Sequence, residues 1–321
     1  MLVRIVTAAA LFAASYIAWS QGYPERPVRL VVPASAGSTA DIGSRVVAHE
    51  LGIALRQPVV VENKPGAGGT IGLAEVARAV PDGYTIALAA QPMLVFAPAV
   101  YAKPGYDALK DFAPIALLGH ASNVLVVHPA DAASNVADIV AVAKAKPAAV
   151  TFASGGSSTS HHLCGVLFAR ATGIDLVHVP YKSTPQAVQA VMTNEVRMGF
   201  FNTPLVIDLI KNGRLKAIGV TSRVRSPLLP DVPTLDEQGV NGYEVDTWAG
   251  FVAPAGTPRQ VVERLHAELT QIIAGHDVNQ KLGAQGLDMP EPITAAAFGK
   301  LIADDLDRWL PILKASGAKA D

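Results

Sequence analysis

Val28-Arg29-Leu30-Val31-Val32-Pro33-Ala34-Ser35-Ala36-Gly37-Ser38-Thr39 and, far downstream, Val150-Thr151-Phe152-Ala153-Ser154-Gly155-Gly156-Ser157-Ser158-Thr159 share one pattern: an apolar stretch, a short run of glycine and hydroxyl residues, then a helical periodicity. A strand that ends in such a turn and opens a helix points unpaired N–H groups and the positive end of the helix dipole at whatever lies in front. The candidate anion-holding residues are therefore Ser35, Ala36, Gly37, Ser38 and Thr39 in the first run, and Ser154, Gly155, Gly156, Ser157, Ser158 and Thr159 in the second. Neither run contains lysine or arginine, so an anion there is held by amides and hydroxyls. Two such turns imply a ligand gripped from both sides.

Outward from these turns, the chain repeats strand, loop, helix. Residues 41–55 carry Ile42, Val46, Val47, Leu51 and Leu55 at amphipathic helical spacing, and Val59 to Val61 reads as the next strand. The glycine-rich stretch from Lys64 to Gly69 opens a helix over about Ile71 to Val80, and Tyr84 to Ala89 returns as a strand. A second set follows: strands at Val124–Val127, Val150–Ala153, Leu176–Val179, Val196–Phe200 and Leu215–Val220, with helices over about Val136–Lys144 and from the second run to Ala171. This alternation predicts an α/β fold, a parallel sheet with helices on both faces and ligands at the carboxyl ends of its strands. Thr184-Pro185, Thr203-Pro204 and Thr257-Pro258 read as threonine N-caps with proline at the first helical position. The proline-rich stretch Ser226 to Pro233 reads as a surface crossing between lobes.

Residues 1–20 read as a secretory signal, with Arg4 before an apolar run from Ile5 to Ala14 and an Ala18-Trp19-Ser20 cleavage site; a membrane anchor competes, but the run is short for a span. Half of the 321 residues are hydrophobic and 17% are charged, below the ~25% usual in soluble proteins, so much of the chain is buried. A net charge of -1 offers no basic field for nucleic acid or an anionic membrane. Cys164, the single cysteine, permits no intrachain disulfide and reads as a small buried hydrophobe, with a nucleophilic role as the minor alternative.

Catalytic signatures are weak. The chain has no G-x-S-x-G elbow and no H-E-x-x-H. A serine hydrolase assembled from Ser157 or Ser158, His161 and Asp175 rests on proximity alone. Gly66-Ala67-Gly68-Gly69-Thr70-Ile71-Gly72 fails the dinucleotide fingerprint at Ile71 and reads as a tight loop at a cleft rim. No cofactor and no metal site is expected.

Pro24-Glu25-Arg26-Pro27, Pro58-Val59-Val60-Val61-Glu62-Asn63-Lys64-Pro65-Gly66-Ala67-Gly68-Gly69, Pro81-Asp82-Gly83-Tyr84, His178-Val179-Pro180-Tyr181-Lys182, Pro230-Asp231-Val232-Pro233-Thr234 and Trp248-Ala249-Gly250-Phe251-Val252-Ala253-Pro254-Ala255-Gly256-Thr257-Pro258 occur in this order. Together they resemble the tripartite tricarboxylate transporter receptors, the Bug family. The resemblance implies a type II periplasmic binding protein with two Rossmann-like lobes and a ligand cleft between them. Residues 21–121 plus 243–321 would form lobe 1, and 122–242 lobe 2. It also implies capture of a small carboxylate and delivery to the membrane permease subunits of a tripartite tricarboxylate-type transporter, by an exported protein expected to be monomeric. A periplasmic sensor signalling through a partner would look the same. In that family the ligand is held mainly by backbone groups and waters at the two turns, matching 34–39 and 154–160 here.

Further candidates have two readings each. Asp41 is a cation ligand or a partner of the helix dipole, and His162 touches ligand or orients its loop. Lys182 balances ligand charge or is solvated, while Tyr181 and Trp248 read as packing. Gln91, Phe201 and Asn202, at further strand ends, are expected to help set specificity, and Gly68, in the cleft-rim loop, to contact the ligand. Ser38 and Ser183 stand where the family often has glycine, so ligand identity does not transfer.

Overall fold

The structure, a computed structural model, describes residues 22–156, 159–289 and 291–315. The expected signal segment, and Ser157 and Ser158 of the second run, lie outside the described residues. Nine strands form one sheet: β1 (Val28–Val32), β2 (Val59–Asn63), β3 (Thr85–Ala90), β4 (Phe112–Val127), β5 (Val150–Ser154), β6 (Leu176–Pro180), β7 (Met198–Asn202), β8 (Lys216–Val220) and β9 (Asp246–Pro254). The helices are α1 (Thr39–Leu55), α2 (Thr70–Ala77), α3 (Ala97–Val100), α4 (Val136–Ala145), α5 (Ser160–Thr172), α6 (Thr184–Met192), α7 (Thr203–Lys211), α8 (Arg259–Ala274), α9 (His276–Gly283) and α10 (Ala295–Ala315).

The sheet is two halves sharing one strand. The first is ordered β2-β1-β3-β9-β4 and the second β6-β5-β7-β4-β8. In β4, Phe112 to Ser122 pair with β9, whereas Asn123 to Val127 pair with β7 and Val124 to Val127 with β8. Each half follows one rule. Three strands are parallel, and the strand arriving from the other half is antiparallel to them. The sheet is therefore mixed, not parallel throughout as the alternation implied, because a chain that crosses and returns must enter each half against its strands.

This direction reversal positions the site. β4 is antiparallel to β9, which is antiparallel to β3, so β4 leaves the first half at the carboxyl ends of β1 and β3. Antiparallel to β7, it enters the second half at the carboxyl ends of β5 and β7. The carboxyl ends of both halves border the same crossing, where parallel sheets place their ligands. Register shifts at Pro114/Ala116, Leu117/Gly119 and Leu125/Val126 bend β4 along its length.

Packing distinguishes the two faces of the sheet. On one, a single apolar cluster runs through both halves, from Leu73, Phe96, Phe298 and Trp309 to Phe152, Phe168, Phe200 and Tyr243. On the other, Val47, Leu51, Phe251 and Leu265 form one cluster and Val124, Val191, Phe201 and Val206 another. Among the described residues, no helix is long and apolar enough to cross a membrane.

Three sequence expectations are corrected. Thr184 and Thr203 are the first helical residues, preceded by Ser183 and Asn202 at the cap with no side-chain cap bond; α8 is preceded by Pro258. Thr257 instead bonds backward to Pro254 O at 2.7 Å. The stretch Ser226–Pro233 does not carry the chain between halves. It folds back on the second half, with Val220 N–H donating to Pro233 O at 3.0 Å and Leu229 buried, and the chain returns to the first half at Val245–Asp246. β4 begins twelve residues before the expected Val124, hidden by Pro114 and the polar Gly119-His120-Ala121-Ser122-Asn123.

Candidate ligand-binding site

The turn after β1 is built around a buried carboxylate. Ser38 caps α1, its Oγ accepting from Asp41 N–H at 3.2 Å. Asp41 Oδ2 accepts from Gly37 N–H at 2.8 Å, while its Oδ1 accepts from Arg45 Nε and Asn63 Nδ2, both at 2.9 Å. Asn63, at the end of β2, also donates to Ala34 O at 3.1 Å. The Arg45 guanidinium leads in holding the Asp41 carboxyl down to about 2, with the Gly37 and Asn63 bonds assisting against burial. Asp41 thus anchors the turn internally, both oxygens spoken for. Ser35, Ala36 and Gly37 are exposed, Ser38 and Thr39 half-buried.

The turn after β5 reaches the same shape with neutral groups. Ser154 Oγ lies 2.6 Å from His178 Nε2 and accepts from Gly156 N–H at 3.1 Å. Thr159 caps α5, its Oγ1 accepting from His162 N–H and donating to Gly156 O at 2.7 Å. His162 stacks on His178 with ring centroids 4.0 Å apart, and His178 stacks in turn on Phe152 at 4.9 Å. Burial, with the neighbouring His162, pushes His178 down to about 4, so His178 stays neutral at ordinary pH. Gly155 touches the start of α6, where a Cβ would sit 3.0 Å from Thr184 N.

Both turns present a glycine in a conformation that disfavours side chains. Gly37 has φ +78° and Gly156 φ +123°, and a Cβ on either would meet nothing within 4 Å. Open space therefore borders both glycines at the mouths of α1 and α5.

Between the turns, the crossing supplies a polar floor. Ser160 Oγ reaches Asn123 Oδ1 at 3.5 Å, Ser122 Oγ lies 3.3 Å from Thr203 Oγ1, and Asn123 N–H donates to Thr221 Oγ1 at 2.9 Å. His161 Nε2 lies 3.1 Å from Asn202 Oδ1, and burial pushes its imidazole down to about 4. The starts of α5 and α7 are thereby tied to the strand that joins the halves. Asn123 Nδ2 and His161 Nδ1 are buried without a partner. Asp246, opposite Ser122 in the ladder, is pushed up to about 7 by burial, with Glu244 and Asp288 adding to the rise.

Of the remaining candidates, Phe201 and Gln91 are buried and Lys182 and Gly68 exposed. Phe201 is fully buried, its ring edge-on to His161 at 5.4 Å, so it supports the floor from beneath. Gln91 is buried and donates to Asp305 Oδ2 at 2.5 Å, which also accepts from Trp248 Nε1 at 2.6 Å. Lys182 is exposed, in a groove shared with Tyr181 and Glu195. Gly68 lies exposed in a turn where Gly66, Ala67, Gly68 and Gly69 all have positive φ, and Gly69 backs onto Met93. Cys164 is buried and Tyr243 OH donates to its carbonyl at 2.7 Å. Among the described residues, no group of three or more His, Cys, Asp or Glu is arranged to hold a metal ion.

Sequence reasoning missed Asn63, Asn123, Ser122, Thr203 and His178 as builders of the site. Asn63 and Thr203 end or follow strands and were findable there. Asn123 was not, because its strand reads as beginning one residue later.

The tripartite tricarboxylate transporter family receptor profile matches residues 44–318. The chain belongs to this family of receptors. The solved periplasmic binding protein BugD is 34% identical, with a TM-score of 0.79 over 93% of this chain and 100% of BugD. Rpa4515 of R. palustris, solved with adipate, is 28% identical with a TM-score of 0.82, over 92% of this chain and 99% of that one. MatC of Rhodopseudomonas palustris, solved with bound malate, is 29% identical with a TM-score of 0.78, over 91% and 100%. Family and fold together make this chain a two-lobed α/β solute-binding receptor of periplasmic type.

Proposed function

We propose that this receptor captures a small carboxylate between residues 34–39 and 154–160 and delivers it to a tripartite tricarboxylate-type permease. The observation that carries the reading is the pairing of Gly37 and Gly156, each at positive φ, each facing open space, each at the mouth of a helix on its own half. Unpaired helix-terminal amides favour negative charge. The adipate and malate in Rpa4515 and MatC support a carboxylate as the ligand. In this reading residues 21–121 with 243–321 form one lobe and 122–242 the other. Closure then bends β4 and β9 near Ser122 and Asp246, and the bound ligand favours the closed population. The chain is exported with its first 20 residues removed, acts as a monomer and is not an enzyme.

Thermal denaturation of the mature protein against mono-, di- and tricarboxylates, amino acids and aromatic acids tests this. A ligand at 100 times its dissociation constant adds about 2.7 kcal/mol to stability. Malate or adipate is expected to raise the melting temperature. A panel in which no carboxylate does so overturns the proposal.

A further inference from the structure

Behind the crossing, on the face where the apolar cluster is continuous, lies a second concavity of about 430 Å³. Its walls come from both halves of the molecule. Leu167 and Arg170 project from α5, Glu244 lies in the segment leading into β9, and Arg308, Trp309 and Ile312 belong to α10. We infer that this groove is a second binding site, separate from the proposed cleft, for a small amphipathic carboxylate with an apolar body.

Three features define the ligand. Trp309 is 3% exposed, its ring set into the wall of the groove. Arg170 and Arg308 are exposed on opposite walls, and neither has a carboxylate partner among the described residues. Arg308 instead lies over the Trp309 ring, its guanidinium carbon 4.4 Å from the centroid. A carboxylate supplies acceptors for both guanidiniums, and the aliphatic surfaces of Leu167 and Ile312 suit an aromatic or branched body. Glu244, the acid in this lining, opposes an anion and so tunes the affinity. Because α5 also opens the second turn, occupancy of the groove depends on how the halves are disposed.

Benzoate is the probe, titrated by calorimetry into the mature chain carrying Gly156→Val, which disables the proposed cleft. Saturable binding is expected. Arg170→Gln with Arg308→Gln should weaken it by roughly tenfold or more, as loss of charge-assisted hydrogen bonds does. Trp309→Phe, which keeps a ring beneath Arg308, should weaken it less, and Glu244→Gln should tighten it. No saturable benzoate binding, or affinity unchanged in the double arginine variant, overturns the site. Malate and adipate titrated into the double arginine variant without Gly156→Val report the cleft alone, so the two proposals fail separately.

Discussion

The turns after β1 and β5 arrive at one backbone outcome, a glycine of positive φ at the mouth of a helix, by opposite chemistry. The first is braced by an ionised Asp41 shared among Gly37, Arg45 and Asn63; the second by a Ser154–His178 bond, with the His178 ring stacked on His162. Amide positions, not the identity of the bracing groups, are therefore what the two halves have in common. The bracing decides how each turn responds to mutation and to pH.

The pairing is most exposed to valine substitution. Gly156→Val is expected to lower malate or adipate affinity by roughly a hundredfold and Gly37→Val somewhat less, since φ +123° is further than φ +78° from any conformation valine tolerates. Isothermal calorimetry on both, with circular dichroism confirming the fold, measures the difference. Unchanged affinity in either variant would break the two-sided grip.

Removing the braces should separate the turns in stability. Asp41→Ala deletes three bonds to an ionised oxygen acceptor and should cost about 2–3 kcal/mol, whereas Ser154→Ala deletes neutral ones and should cost about 1 kcal/mol. Urea denaturation gives both values. Equal losses would mean that charge adds nothing to the first turn.

The turns also differ in their response to pH. His161 and His178 have folded values near 4, below the unfolded value near 6.5, so the unfolded chain binds more protons between the two. Their share of stability is complete above about pH 6.5 and declines as the pH falls toward 4. Asp41, held near 2, contributes fully above its unfolded value near 3.8 and is lost only as the pH falls toward 2. Melting temperatures of the wild type and His178→Gln across pH 4–7 check this, because glutamine retains a hydrogen-bonding side chain and cannot titrate. An identical slope in the two proteins would remove His178 from the second brace.

Much of this was legible in the chain. The runs at Ser35–Thr39 and Ser154–Thr159, the strands before them and the helices after them are local patterns, and the structure reproduces them at β1–α1 and β5–α5. Cys164 and Trp248 are buried as their apolar surroundings imply. Phe201, expected at the specificity end of its strand, lies in the core because alternation turns its ring inward, and Gln91 is drawn from open space by Asp305, over two hundred residues away.

By itself the sequence determined the family, the α/β alternation and the two glycine-and-hydroxyl turns, because apolar periodicity, glycine placement and capping act over a few residues. Only the tertiary structure decided that β4 serves both halves and reverses direction relative to each, bringing both sets of strand ends to one crossing. It alone settled that Asp41 and His178 brace the backbone from within. Those outcomes depend on strand pairing and contacts between distant segments, which no local pattern records.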